Sequence, residues 1–274
     1  MNCRAVGVRG LNWLVPEHRA AAGARPVVLI HGAGGSSRHW RWVSRALPPG
    51  IIPLAVDLPG HGESPGEVPG TLALAAARVQ DGIAELCGAG PVAVAGHSVG
   101  GLVALLLAMT GPQRVSHLAL IGTAARIAPH PGLLGQLRRG EPDEAFLRAG
   151  FSAGVREERV QLVLSDLRRT RLAPGAGDFM GISGRDLSPE LPQVTAETLV
   201  LIARRDPVVS PRKSRALAAG ISGARAVVLD GGHYLTIERP QDVAAHLARL
   251  LDARPPGPEP AVARSEATRK GGRA

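Results

Sequence analysis

The chain has 274 residues, 45% of them apolar and 20% charged, which suits one large α/β domain with an insertion. No apolar stretch reaches the roughly 18 residues that a membrane-spanning helix needs, so no membrane span is expected. The net charge of +9 rests on 32 Lys and Arg against 23 Asp and Glu, but these cations are nearly all Arg, are scattered among acids and lack interleaved aromatics, which argues against a nucleic-acid partner.

The opening Met1-Asn2-Cys3-Arg4 lacks the basic, apolar and small-residue succession of a secretory leader. With only Cys3 and Cys87 able to form a disulfide, the expected setting is a reducing cytoplasm. Residues 6–8 and 11–15 are apolar stretches around Arg9-Gly10 and predict an antiparallel hairpin. Brief apolar runs follow at 27–30, 51–56, 92–95, 118–121, 199–202 and 226–229, bounded by Gly or Pro, the form of strands buried on both faces. A first intervening helix is predicted over 38–47, and a second is marked by Leu72, Ala76, Val79, Ile83 and Leu86 at three- and four-residue spacing. A third follows Ser98, through 102–108. Residues 211–219 and 240–251 read as helices, the latter through Val243, Ala244, Leu247 and Leu250. Alternating strand and helix imply a mostly parallel, doubly wound α/β sheet.

The rhythm breaks over 128–193, where short amphipathic pieces at 144–147 and 160–167 replace it, and this segment predicts an insertion across the sheet. All three phenylalanines, Phe146, Phe151 and Phe179, fall inside it. They are expected either to roof an apolar pocket or to pack the insertion onto the main domain. Residues 253–274 begin with Pro255-Pro256-Gly257-Pro258 close at hand, lack periodicity and are expected to be disordered. The predicted organisation is a core of 1–127 and 194–252, an insertion of 128–193 and a tail of 253–274.

Gly96-His97-Ser98-Val99-Gly100-Gly101 lies between a strand and a helix, the setting in which a serine sits on a tight turn with its hydroxyl above the sheet edge. A hydroxyl needs a base to take its proton. Of nine histidines, His233 follows the last strand through Asp230-Gly231-Gly232 and is the expected base, whereas His31 and His61 lie in Gly-rich loops where a structural role is expected, and the side chain of His97 is expected to point away from the nucleophile. Asp206 follows the strand at 199–202 and is expected to hold the tautomer of His233; Asp57 and Glu63 both precede Ser98, and Asp57-Leu58-Pro59-Gly60 reads as a turn whose carboxylate bonds backbone N–H groups. The Val99 N–H and that of Ala33, in His31-Gly32-Ala33-Gly34-Gly35, are the expected oxyanion donors. That glycine cluster fits neither a phosphate-binding loop nor a dinucleotide fingerprint, and no spacing suits a metal site.

Together with Trp40, Asp57-Leu58-Pro59-Gly60-His61-Gly62-Glu63-Ser64 and Gly232-His233, these motifs resemble the α/β-hydrolase superfamily from about Val6 to Asp252. The resemblance implies an eight-stranded, mostly parallel sheet with its second strand antiparallel and helices on its flanks, a helical cap after strand six, and no cofactor. It implies a serine hydrolase acting on an ester, lactone or thioester of a small to medium acyl substrate, with Tyr234 and the phenylalanines as pocket residues. Within the superfamily, Ser98 argues against dehalogenases and epoxide hydrolases, which resemble this chain but place Asp there. Carbon–carbon bond hydrolases of the meta-cleavage type, cofactor-free haloperoxidases or perhydrolases, transfer to an acceptor other than water, and a non-catalytic ligand-binding module are the alternatives. No sequence signal fixes an oligomeric state.

Overall fold

The computed structural model describes residues 3–17, 23–127, 144–169 and 185–252; the predicted tail lies outside them. Eight strands form one sheet: β1 (Cys3–Val8), β2 (Leu11–Pro16), β3 (Arg25–Ile30), β4 (Ile51–Val56), β5 (Val92–His97), β6 (Val115–Ile121), β7 (Glu197–Ala203) and β8 (Arg225–Leu229). Their spatial order is β1-β2-β4-β3-β5-β6-β7-β8. Strand β2 runs antiparallel to both β1 and β4, and every other pairing is parallel. The predicted hairpin and all six later strands are therefore present. Strand β1 begins three residues before the apolar signal, because Cys3, Arg4 and Ala5 are held by their ladder with Pro16, Val15 and Leu14 rather than by burial.

Side-chain alternation divides the core into two layers. Val28 and Ile30 of β3 face α2 (Leu72–Cys87) and α3 (Val99–Thr110), while Val27 and Leu29 face α1 (Arg41–Ala46) and the last helix. Helix α3 is buried from Val99 to Ala108, as a helix wedged between a sheet and a second helix must be. The first predicted helix, 38–47, opens instead as a 3₁₀ turn, Ser37–Trp40, before α1. Ser36 explains this: its hydroxyl accepts from the Arg38 N–H (3.2 Å) and its carbonyl from the His39 N–H (3.0 Å), an i to i+3 closure.

Within 128–193 the described residues form α4 (Glu144–Ala149), α5 (Glu157–Arg169) and a 3₁₀ turn, Ser188–Gln193. The chain returns beside its point of departure, since the Leu187 N–H donates to the Ala125 carbonyl (3.0 Å), and Leu187 and Leu191 join the main core. Helices α6 (Pro211–Gly220) and α8 (Pro240–Asp252) match the predicted ones, and a short α7 (Leu235–Glu238) precedes α8. Strand β3 sits between β4 and β5, so the loops leaving β3 and β5 diverge at their carboxyl ends, where a doubly wound sheet opens a crevice.

Candidate active site

Ser98 occupies the turn between β5 and α3 with φ 53° and ψ −120°. Such a conformation costs a non-glycine residue on the order of 1–3 kcal/mol and persists only where its surroundings fix it. They do so here: the Ser98 N–H donates to the Ile121 carbonyl (2.9 Å), and the Ser98 carbonyl accepts from the Gly101 N–H (2.9 Å) and the Thr123 hydroxyl (2.7 Å). The flanking glycines are required by packing. A Cβ on Gly96 would enter the Gly100 carbonyl, and one on Gly100 would enter the carbonyls of Ile30 and His31.

The three side chains singled out above form one hydrogen-bonded row. His233 Nε2 lies 3.1 Å from Ser98 Oγ, and His233 Nδ1 lies 2.8 Å from Asp206 Oδ2. All three are buried. The other oxygen of Asp206 accepts from the backbone N–H groups of Val208 and Val209, each at 2.8 Å. That grip leaves Oδ2 aimed at Nδ1, so the ring carries its proton there and presents an unprotonated Nε2 to the hydroxyl. The surface ion pair that could have claimed Asp206 is made elsewhere, between Arg205 and Asp230 at 2.7 Å.

Loop 31–36, after β3, lies against the nucleophile: a Cβ on Gly32 would stand 3.1 Å from Ser98 Cβ. Ala33 follows directly, and Gly34 takes φ +65°, which turns the chain over. Val99 opens α3, so its N–H has no intrahelical partner. His31 is part of the scaffold. Its Nδ1 donates to the Gly32 carbonyl (2.8 Å) while Nε2 accepts from the Leu58 N–H (3.0 Å), and burial, with the neighbouring His61, lowers its pKa to about 4. Asp57 accepts from the N–H groups of Ser37 (2.6 Å) and Glu63 (2.9 Å) and from the Asn12 amide (2.8 Å), as its turn context predicts.

Among the pocket residues, Phe151 stacks on Tyr234 at 4.3 Å between centroids, and Tyr234 meets the His233 ring edge-on at 5.2 Å. Phe151 and Tyr234 belong to a small apolar cluster with Val163 and Ile237 that joins the 144–169 segment to the main domain. Phe146 is half-buried on α4. Phe179 lies outside the described residues.

Other residues that serve the row carry no local sequence signal. His97 Nε2 donates to the His233 carbonyl (2.8 Å), and its ring packs on that of His233 at 4.8 Å. Burial, then the nearby His233, pushes the His97 pKa well down, which keeps this ring neutral. Glu238 Oε2 accepts from the N–H groups of Gly232 (3.0 Å) and Ser152 (3.1 Å) and from the Ser152 hydroxyl, while the His233 N–H donates to the Gly150 carbonyl (2.7 Å). The His233 loop is thus tied to residues 150–152. His97 and His233 stand 136 positions apart, and Ser152 and Glu238 stand 86 apart, beyond the reach of any motif.

The family model described as Alpha/beta hydrolase family matches residues 27–246. Curated relatives include a putative carbamate hydrolase RutD of Rhizobium rhizogenes, 26% identical over 253 residues, covering 84% of this chain and 94% of the relative. A pimeloyl-[acyl-carrier protein] methyl ester esterase of Neisseria meningitidis is 30% identical over 223 residues, covering 75% of this chain and 84% of the relative. Among solved structures, an enol-lactonase from Burkholderia xenovorans LB400 superposes with a TM-score of 0.80 at 26% identity, covering 90% of this chain and 99% of that one.

Proposed function

The chain belongs to the α/β hydrolase family, and from that premise we propose that it is a serine hydrolase that cleaves an ester, lactone or thioester of a small to medium acyl substrate through an acyl-enzyme. The observation that carries this reading is the continuous row Ser98 Oγ, His233 Nε2, His233 Nδ1, Asp206 Oδ2, with contacts of 3.1 and 2.8 Å. In this reading His233 takes the Ser98 proton as Oγ attacks the carbonyl carbon. The N–H groups of Ala33 and Val99 receive the oxyanion, fixed dipoles that need no reorganisation as charge develops. His233 then gives its proton to the leaving group, and a water activated by the same imidazole releases the acid. The described residues 144–169 of the insertion serve as a cap, and Tyr234 and Phe151, stacked beside His233, form an apolar wall for the acyl group. An esterase, a lactonase and a carbamate hydrolase among the similar proteins all act on carbonyl centres bearing a heteroatom leaving group, which supports the substrate class.

Hydrolysis of p-nitrophenyl acyl esters of graded chain length tests the reading, with a fluorophosphonate probe reporting the reactive serine. Turnover and labelling are both expected in the wild type and both absent from Ser98→Ala. Retained turnover in that variant overturns the assignment.

A further inference from the structure

We infer that Asp166, contributed by the 128–193 segment, is a positioning residue that holds the loop bearing Ala33 in its competent conformation, so that the oxyanion donor is in place only while α5 is docked. The inference rests on the reading of Ser98 as nucleophile and Ala33 as oxyanion donor. Asp166 lies on α5, and its side chain is only 5% exposed although it is a carboxylate. It reaches across to the segment that follows Ala33: Oδ2 accepts from the Ser36 hydroxyl (2.5 Å) and Oδ1 from the Arg38 guanidinium (2.7 Å). His39 Nε2 stands 3.4 Å from Oδ2. One residue further along α5, Leu167 sits over Gly34, where an added Cβ would lie 2.7 Å from its Cδ1. A carboxylate and an apolar side chain, consecutive on one helix, thus grip the turn from Gly34 to His39 immediately after the proposed donor.

The chemistry of the grip is selective for the ionised carboxylate. Burial works to raise the pKa of Asp166, but the nearby His39 ring, the Ser36 hydroxyl and the Arg38 guanidinium outweigh it and hold the group below the ordinary carboxylate range. A buried carboxylate satisfied this way defines one geometry, because moving Ser36 and Arg38 away would leave it desolvated and unpaired. Since Ser36 also caps the 3₁₀ turn through the Arg38 N–H, the carboxylate fixes the side chain that fixes the turn.

The test is steady-state ester hydrolysis by Asp166→Asn, Asp166→Ala, Ser36→Ala and the Ser36→Ala/Asp166→Ala double variant, beside wild type and Ser98→Ala. Because a lost oxyanion donor lowers kcat about a hundredfold or more, displacement of one donor is expected to lower kcat by about ten- to a hundredfold. KM should change little, fluorophosphonate labelling should slow in parallel, and the pH profile of kcat/KM should keep its wild-type form because the His233–Asp206 contact is untouched. The double variant should lose less than the product of the two single losses, since the Ser36–Asp166 contact is common to both while Asp166 also holds Arg38 and Ser36 also caps the turn. Unchanged kcat, a raised KM with kcat intact, a displaced pH profile or additive losses each overturn the inference. Asp166→Asn preserves the shape of the side chain and decides the matter if Asp166→Ala does not fold. Turnover surviving in Ser98→Ala is a different failure, that of the serine reading itself.

Discussion

Two buried aspartates, Asp57 and Asp206, stand beyond the carboxyl ends of β4 and β7, and their hydrogen bonds assign them different work. Asp57 spends both oxygens on Ser37, Glu63 and Asn12, joining the 3₁₀ turn and β2 to its own loop. Asp206 spends one oxygen on its own turn and keeps the other for His233. Asp57→Ala should therefore destabilise the fold, by roughly 3 kcal/mol or more, because unmade buried hydrogen bonds cost about 1–3 kcal/mol each; the shift of the urea midpoint measures it. Asp206→Asn should leave that midpoint nearly in place, since the amide oxygen can still accept from Val208 and Val209. Its NH₂ group would face Nδ1, forcing the ring proton onto Nε2, where it blocks acceptance of the Ser98 proton. A loss of about 10³–10⁴ in kcat is expected on the ester substrate, the scale set by such a tautomer error; a loss below about tenfold would mean that another carboxylate orients His233. The distinction is legible in the sequence because Asp206 follows an apolar strand and precedes the one leading to His233. The roles of His97 and Glu238 are not, because each is defined by a partner brought near only by the folded sheet.

At the level of elements, the loop carrying His233 is fastened by the 144–169 segment as well as by its own strand. Glu238, at the end of α7, accepts from Gly232 on one side and Ser152 on the other, and Gly150 supplies its carbonyl to the His233 N–H. A Cβ on Gly232 would enter that carbonyl, so glycine is required for the approach. Removing the carboxylate in Glu238→Ala leaves two backbone donors without a partner, and a loss of about 1–3 kcal/mol in stability is expected, the cost of breaking charge-assisted hydrogen bonds that are partly solvent-screened. Proteolysis of the native variant should quicken within residues 150–152 before it does in the core; cleavage that remains uniform would show that this tie is not what seats the segment. The elements themselves are legible in proportion to their burial. Central strands covered on both faces read as continuous apolar runs, and α2 and α8 as clean periodic stripes. The first half of β1 is largely exposed and carries no strand signal, and α7, four residues long, is too short for any periodicity to mark.

Across the whole molecule, the site is built around imidazoles that burial keeps neutral, and this sets how stability responds to acid. His31 has its pKa lowered to about 4, and His97 is pushed down in the same direction, both chiefly by desolvation. His117 and His246 are lowered too, again chiefly by burial. In the unfolded chain these rings take up protons near the ordinary histidine value of 6.5. Between that pH and the lower folded values the unfolded state binds more protons, so stability rises with pH across the interval and is lost as pH falls. The full contribution is present above about 6.5, and that of His31 is lost progressively down to about 4. For His31 the change is on the order of 3 kcal/mol over that span, at about 1.4 kcal/mol per pKa unit. Urea midpoints should stay level from about pH 7.5 to about pH 6.5 and then fall towards about pH 5 for the wild type. In His31→Gln, whose amide can serve the Leu58 N–H without titrating, the fall should be shallower although the protein is less stable at neutral pH. An equal slope in both proteins would place the acid sensitivity elsewhere. Because His31 bonds both Gly32 and Leu58, its protonation would break its acceptance from Leu58 and disturb the turn that leads to Ala33. Loss of activity by this route should therefore appear only as pH approaches about 4, and ester turnover followed beside intrinsic Trp fluorescence, reported by the buried Trp13 and Trp40, separates it from global unfolding.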